Sequence, residues 1–103
     1  HGPIALLDQH VPVVSLAVPG VVYEKVLSNS QEAKARDARL IGVSTNGQES
    51  EMFDELFSIP KVSEWVSPLV TIVPLQLFSY HIAAHKGLDV DQPRNLAKSV
   101  TVE

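Results

Sequence analysis

The sequence predicts an α/β domain whose sheet is mostly parallel. Two short apolar segments rich in β-branched residues, 11–18 and 39–45, have the composition of strands that are covered on both faces. A polar segment with helical spacing lies between them, and a second helical segment, largely apolar, begins near residue 67. The resulting order of strand, helix, strand, strand and helix is typical of α/β layers with parallel strands.

The first strand, 11–18, ends at Pro19 and Gly20 and leads into a helix. Over residues 21–37 the chain becomes polar, and its remaining apolar residues recur at helical spacing. This pattern predicts an amphipathic helix with one face in water. The wet face carries Glu24, Lys25, Glu32, Lys34 and Arg36.

Two further strands are predicted at 39–45 and 56–60, separated by a turn and an acidic loop. The exposed carboxylates of this loop are expected to be solvated rather than catalytic. Because a complete doubly wound sheet has about five strands or more, a sheet of three should leave an uncovered edge. The carboxylates are Glu49, Glu51, Asp54 and Glu55.

The last helix is predicted over 67–86. Ser67 followed by Pro68 predicts its start, a hydroxyl cap with proline at the first helical position. Gly87 predicts its end, because glycine readily adopts the left-handed conformation that closes a helix. Pro74 lies inside the segment and should remove one backbone hydrogen bond and kink the axis.

Composition excludes several classes of protein. With 103 residues, 45% hydrophobic and 19% charged, the chain has the composition of one soluble globular domain at most. A net charge of −4 with scattered lysines argues against a nucleic-acid partner. No apolar run approaches the roughly 20 residues of a membrane span, and no signal-peptide pattern opens the chain. With no cysteine either, we expect a cytoplasmic protein without disulfides or a thiolate site.

Two candidate sites are weak on the residues alone. His81 and His85 share a helical face and could bind a metal, but no third ligand accompanies them, so neither metal nor cofactor is expected. The segment 44–47, Ser-Thr-Asn-Gly, follows a strand, where open α/β sheets bind ligands and backbone amides could hold a phosphate. It lacks glycine-rich spacing and leads into acidic residues, so a plain turn is the favoured interpretation.

Three segments carry a resemblance to a known family. The tail 91–103 reads DQPRNLAKSVTVE, the start 1–7 reads HGPIALL, and 73–81 reads VPLQLFSYH. These segments closely resemble the end of the isomerising glutamine–fructose-6-phosphate aminotransferases, the glucosamine-6-phosphate synthases. The resemblance implies the C-terminal part of the second sugar-isomerase (SIS) subdomain at 1–88, followed by an irregular active-site tail at 89–103.

The resemblance also implies the site residues. Lys98 corresponds to the family's substrate-contacting lysine, and a lysine shielded from water can act as a free amine. His1 corresponds to the ring-opening histidine, since an imidazole exchanges protons near neutral pH. Arg94 is expected to anchor the tail, and the backbones of Ala97 and Ser99 are expected to contact sugar hydroxyls.

The implied activity is that of a larger enzyme, a homodimer in this family. It transfers ammonia from glutamine onto fructose 6-phosphate and isomerises the product to glucosamine 6-phosphate. The family's glutamate base and phosphate loop lie upstream of His1, so we expect the chain to be inactive without the rest of that enzyme. Two alternatives remain: a non-catalytic sugar-phosphate-binding SIS module, and a protein similar to fructosamine-6-phosphate deglycases.

Overall fold

The computed structural model describes residues 2–45 and 51–92. The chain forms two compact units, His1–Thr71 and Ile72–Glu103. Every helix and strand predicted from the sequence is present and in the predicted order. In chain order, the elements are the 3-10 helix Pro3–Leu6, β1 (Pro12–Ala17), α1 (Tyr23–Lys34), β2 (Arg39–Ser44), β3 (Glu55–Ser58) and α2 (Ser67–His85).

The sheet of the first unit is parallel throughout the described residues, with strand order β1-β2-β3. Pro12 pairs with Arg39 at the start of β1, and Ala17 pairs with Ser44 at its end. β3 is shorter and pairs only with the last four residues of β2, from Ile41 onwards. The crossover through α1 connects two parallel neighbours, which is the expected connection in an α/β layer. The predicted α/β class is confirmed.

The two longer strands differ in how they are covered. β2 lies between two neighbours and is buried from Leu40 to Ser44. β1 lies at an edge and alternates: Ser15 and Ala17 are buried, whereas Val14 and Leu16 are 41% and 44% exposed. Within the described residues, coverage on both faces is therefore confirmed for β2, whereas β1 is covered on one face. Helix α1 covers one face of β1, and within the described residues the opposite face stays accessible to solvent.

Helix α1 ends in a turn whose flanking residues pack in the core. Asp37 has a φ of 63°, in the left-handed region. Its N–H donates to the carbonyl of Lys34 at 2.9 Å, and the N–H of Ala38 donates to the carbonyl of Ala33 at 3.3 Å. This pair of bonds is a Schellman motif, in which residues flanking the turn make an apolar contact. Ala33 and Ala38 both belong to the buried core.

Two carboxylates of the predicted acidic loop, Asp54 and Glu55, are structural, which corrects the prediction that they are only solvated; Glu49 lies outside the described residues. The Asp54 carboxylate accepts a bond from the Leu40 N–H at 2.7 Å, and the Asp54 N–H donates to the Leu40 carbonyl at 2.9 Å. Phe53 is buried against Gly42, where an added Cβ would lie 2.6 Å from the ring. Glu55 forms an ion pair with Arg39 at 3.0 Å. Tertiary contact with β2 therefore recruits this segment into the fold.

Helix α2 follows the predicted bounds closely, but its start differs in chemistry. The Ser67 hydroxyl donates to the carbonyl of Glu64 at 2.7 Å instead of accepting a bond as an N-cap. The end is a second Schellman motif, with Gly87 at a φ of 69°. The N–H of Gly87 donates to Ala84 at 3.0 Å, and that of Leu88 donates to Ala83 at 2.9 Å.

The surface of α2 is apolar on all sides. Pro74 lies inside the helix as predicted, and across the fully described helix the buried residues are Ser67 and Thr71. By length and composition alone this helix could cross a membrane, and core helices of soluble proteins share both features.

Candidate functional site

The site residues predicted from the sequence lie outside the described residues. The same holds for the turn pair Asn46 and Gly47, so the assignments of these positions stay predictions. What the structure describes are the segments that lead to them and the edge of the sheet at which the strands end. The predicted site residues concerned are His1, Arg94, Ala97, Lys98 and Ser99.

The start of the chain forms a compact turn immediately after His1. The carbonyl of Gly2 accepts a bond from the N–H of Ala5 at 3.3 Å, and that of Ile4 accepts one from Leu7 at 3.3 Å. Pro3 stands at the first position of this 3-10 helix, where its fixed φ suits the turn. Gly2 and Pro3 thus form the turn that follows His1.

The start of the tail is also ordered by its own side chain. One carboxylate oxygen of Asp89, in the second unit, accepts bonds from the N–H of Asp91 at 2.9 Å and of Gln92 at 3.0 Å. This is an Asx turn, in which a short side chain replaces a backbone acceptor. The turn sets the direction in which the chain leaves α2, and the predicted residues of the tail follow directly.

The carboxyl ends of the strands lie at one edge of the sheet, where open α/β folds bind ligands. Ser44, the last residue of β2, is fully buried, and its carbonyl accepts a bond from the N–H of Ile59 at 3.1 Å. Thr45 is half-buried. Beneath this edge, the hydroxyls of Ser15 and Ser30 are 2.8 Å apart, and Ser30 donates to the carbonyl of Val26 at 2.8 Å. These buried polar groups join β1 to α1.

One charged residue at this edge was missed from the sequence. Glu64 reaches back across the sheet edge to the connection between β1 and α1, where its carboxylate accepts a bond from the N–H of Val21 at 3.3 Å. Its carboxyl group lies directly against Gly20. A glycine followed by an apolar N-cap, Val22, was the available signal, because such a helix start lacks a side-chain acceptor of its own.

The remaining clefts carry no catalytic arrangement among residues 2–45 and 51–92. At the opposite edge of the sheet, a charged cleft of about 450 Å³ includes Lys34, Arg39 and Asp54. Each of these is engaged by the chain itself: Lys34 donates to the Met52 carbonyl, and the other two have the partners already described. This cleft is therefore structural.

The two histidines of α2 line a cleft of about 670 Å³ in the second unit. His81 makes an edge-to-face contact with Tyr80, with ring centroids 5.3 Å apart. Within the described ranges, no group of three potential metal ligands is present. Two imidazoles alone do not complete a zinc site.

Comparison with known proteins identifies relatives of the whole segment. No protein-family model matches the chain. An isomerising glutamine–fructose-6-phosphate aminotransferase of Nostoc sp. is 69% identical over 105 aligned residues, covering 100% of this chain and 17% of the relative. The corresponding enzyme of Thermus thermophilus is 53% identical, with the same coverage. The chain thus spans about a sixth of the curated relatives it matches (17%).

A solved structure agrees with the sequence comparison. The C-terminal domain of glucosamine-fructose-6-phosphate aminotransferase from Francisella tularensis matches with a TM-score of 0.79 and 38% identity, over 89% of this chain and 27% of that one. The match therefore extends from sequence to the arrangement of strands and helices. The chain is homologous over its whole length to isomerising glutamine–fructose-6-phosphate aminotransferases and has the fold of part of the C-terminal domain of one of them, as the resemblance of its sequence predicts.

Proposed function

We propose that this chain is the end of the isomerase domain of an enzyme that makes glucosamine 6-phosphate from fructose 6-phosphate and glutamine. The observation that carries the proposal is 69% identity to such an aminotransferase across the entire chain. The match in fold to the C-terminal domain of a second one supports it. The two alternatives, a non-catalytic SIS module and a deglycase, have no comparable support among these relatives.

Lys98 is proposed as the principal catalytic residue of this segment. It lies in DQPRNLAKSVTVE, residues 91–103, which we propose to form an active-site tail beginning at residue 89. A lysine close to a chain end reaches a site only if the segment before it is held in place. The Asx turn of Asp89 supports such an arrangement, because it orders the first residues of the tail. If the docked tail shields Lys98 from water, the uncharged form of its side-chain amine is favoured.

His1 is proposed to open the sugar ring by exchanging a proton with the ring oxygen. The turn of Gly2 and Pro3 that follows it supports this role, since a compact turn limits the directions in which the residue before it can extend. Replacing His1 with alanine in the longer enzyme should slow turnover of cyclic fructose 6-phosphate and spare glutamine hydrolysis. Unchanged sugar turnover would remove His1 from the site.

The other proposed contacts bind rather than react. The backbones of Ala97 and Ser99 would contact sugar hydroxyls, and Arg94 would anchor the tail through its planar guanidinium group. The proposed partners of the chain are the sugar phosphate and the rest of a homodimeric enzyme. Its proposed location is the cytoplasm. Without the rest of that enzyme, the chain is expected to be inactive. The resemblance implies that the glutamate base and the phosphate loop lie upstream of His1.

The decisive experiment is replacement of Lys98 in the longer enzyme. Lys98→Ala should lower synthesis of glucosamine 6-phosphate by roughly a hundredfold or more, the scale for losing a positioned proton-transfer group. Lys98→Arg should not restore it, because arginine stays charged. The matched control is Lys86→Ala, at an exposed position just after α2, which should leave the rate unchanged. Near-normal synthesis by both Lys98 variants would reduce the tail to a structural role.

A further inference from the structure

A carboxylate from a distant part of the chain lies at the turn that precedes the N-cap of α1. Glu64 Oε1 lies 3.3 Å from the backbone nitrogen of Val21. At Gly20, an added Cβ would stand 2.6 Å from the Cδ of Glu64 and 2.7 Å from its Oε1. A side chain at position 20 would therefore push the flexible end of Glu64 aside, and the carboxylate can approach the backbone because residue 20 has none.

This position has the electrostatic character of an anion site. The first turn of a helix presents unpaired N–H groups and a partial positive charge. Val22 stands at the N-cap of α1, and its apolar side chain cannot accept a hydrogen bond. The turn directly follows β1 at the carboxyl edge of a parallel sheet, where phosphates of ligands commonly bind to helix starts. A negative group is therefore favoured here, and Glu64 supplies it from within the chain.

We propose that Glu64 is a positioning residue that takes the place of an anionic ligand at the start of α1. Its carboxylate ties the connection between β1 and α1 to the segment that precedes α2. It also closes this end of the sheet to phosphate by charge repulsion and by occupying the space.

Hydrogen exchange followed by mass spectrometry tests the proposal in the longer enzyme that contains this segment. Peptides covering residues 18–27 are compared with and without inorganic phosphate. In the unmodified enzyme, phosphate should leave exchange in these peptides unchanged. Glu64→Ala should speed exchange there about three- to tenfold, as expected for the loss of one hydrogen bond. It should also gain protection on addition of phosphate, because the vacated position is open to an anion.

Three variants separate positioning from general destabilisation. Glu64→Gln should keep the slow exchange of the unmodified enzyme, because its amide oxygen can still accept from Val21. Gly20→Ala should raise exchange even with Glu64 present, because the methyl group displaces the carboxylate. Glu24→Ala removes a negative charge from the first turn of α1 without removing the contact, and should gain no phosphate-dependent protection.

Two results would overturn the proposal. Protection of 18–27 by phosphate in the unmodified enzyme would show that this end is open to anions. Unchanged exchange in both Glu64→Ala and Gly20→Ala would show that the contact is absent in solution. Neither result depends on the rate of sugar turnover, so failure here is distinguishable from failure of the Lys98 assignment.

Discussion

The strand layer of the first unit and helix α2 use similar apolar residues in different ways. In the layer, Leu40 and Val43 of β2 are 0% exposed, and α1 supplies alanine and aliphatic contacts to the core cluster that contains Leu40. Along α2, Leu69 and Leu77 are 70% and 55% exposed. The layer therefore buries its central strand within this chain, whereas the apolar side chains of α2 stay accessible to solvent among the described residues.

The difference shows that local sequence and available partners are separate requirements. A helix that is apolar on all sides is stable in water only when other elements surround it. The chain covers 17% of the length of its aminotransferase relatives, and α2 lies in a segment that they share. We therefore expect the longer enzyme to supply the neighbours of α2 and of the exposed face of β1.

The largest effect is expected when the chain is studied in isolation. We expect it to lack a cooperative, concentration-independent melt, because the exposed face of β1 and the sides of α2 leave too little apolar area buried for its length. Circular dichroism melts at several concentrations, together with dispersion of the amide NMR spectrum, provide the measurement. A sharp monomeric transition with well-dispersed peaks would show that α2 needs no neighbours outside the chain.

A pair of leucines sharpens the comparison inside the longer enzyme. Leu40→Ala should lower the free energy of unfolding by about 2–5 kcal/mol, since it empties a fully buried position. Leu77→Ala should cost a similar amount if α2 is surrounded there. Denaturant titrations would measure both, with Lys25→Ala on the wet face of α1 as the control, expected within about 0.5 kcal/mol. A cost for Leu77→Ala as small as the control's would place that side of α2 in water.

The smallest expected effects concern the two helix ends, which use the same motif with different residues. Asp37 and Gly87 both adopt a positive φ, at 63° and 69°. Asp37→Gly should stabilise the enzyme by a few tenths to about 1 kcal/mol, because glycine takes this conformation without steric cost. Gly87→Ala should destabilise by about 1 kcal/mol for the same reason. Thermal shifts of equal sign in the two variants would contradict this account of the turns.

Much of the fold follows from local patterns. The apolar β-branched segments formed β1 and β2, the polar segment with helical spacing formed α1, and Gly87 ended α2 as predicted. These features depend on periodicity and on backbone preferences, which act over a few residues. The similarity to isomerising glutamine–fructose-6-phosphate aminotransferases also followed from sequence, because the motif 91–103 is highly specific and 73–81 moderately so, and the comparisons confirm that similarity.

The site was predictable only in part. Its candidate residues, Lys98 and His1 foremost, come from the resemblance, since a lysine in a tail and a histidine at the start of a chain carry little meaning by themselves. The turn after His1 could be inferred from Gly2 and Pro3, and the turn at the start of the tail from Asp89, because these residue types favour turns. Their positions relative to a substrate depend on contacts beyond the described residues, which no local pattern encodes.

The sequence by itself determined the α/β class, the order of the elements and the similarity to the aminotransferases, because each rests on short-range spacing or on a specific motif. Only the tertiary structure decided that β1 is covered on one face, that Asp54 pairs with β2, and that Glu64 occupies the start of α1. These are contacts between residues far apart in the chain. Such contacts depend on which elements become neighbours. The local sequence around a carboxylate does not distinguish a side chain that contacts water from one that contacts a helix end.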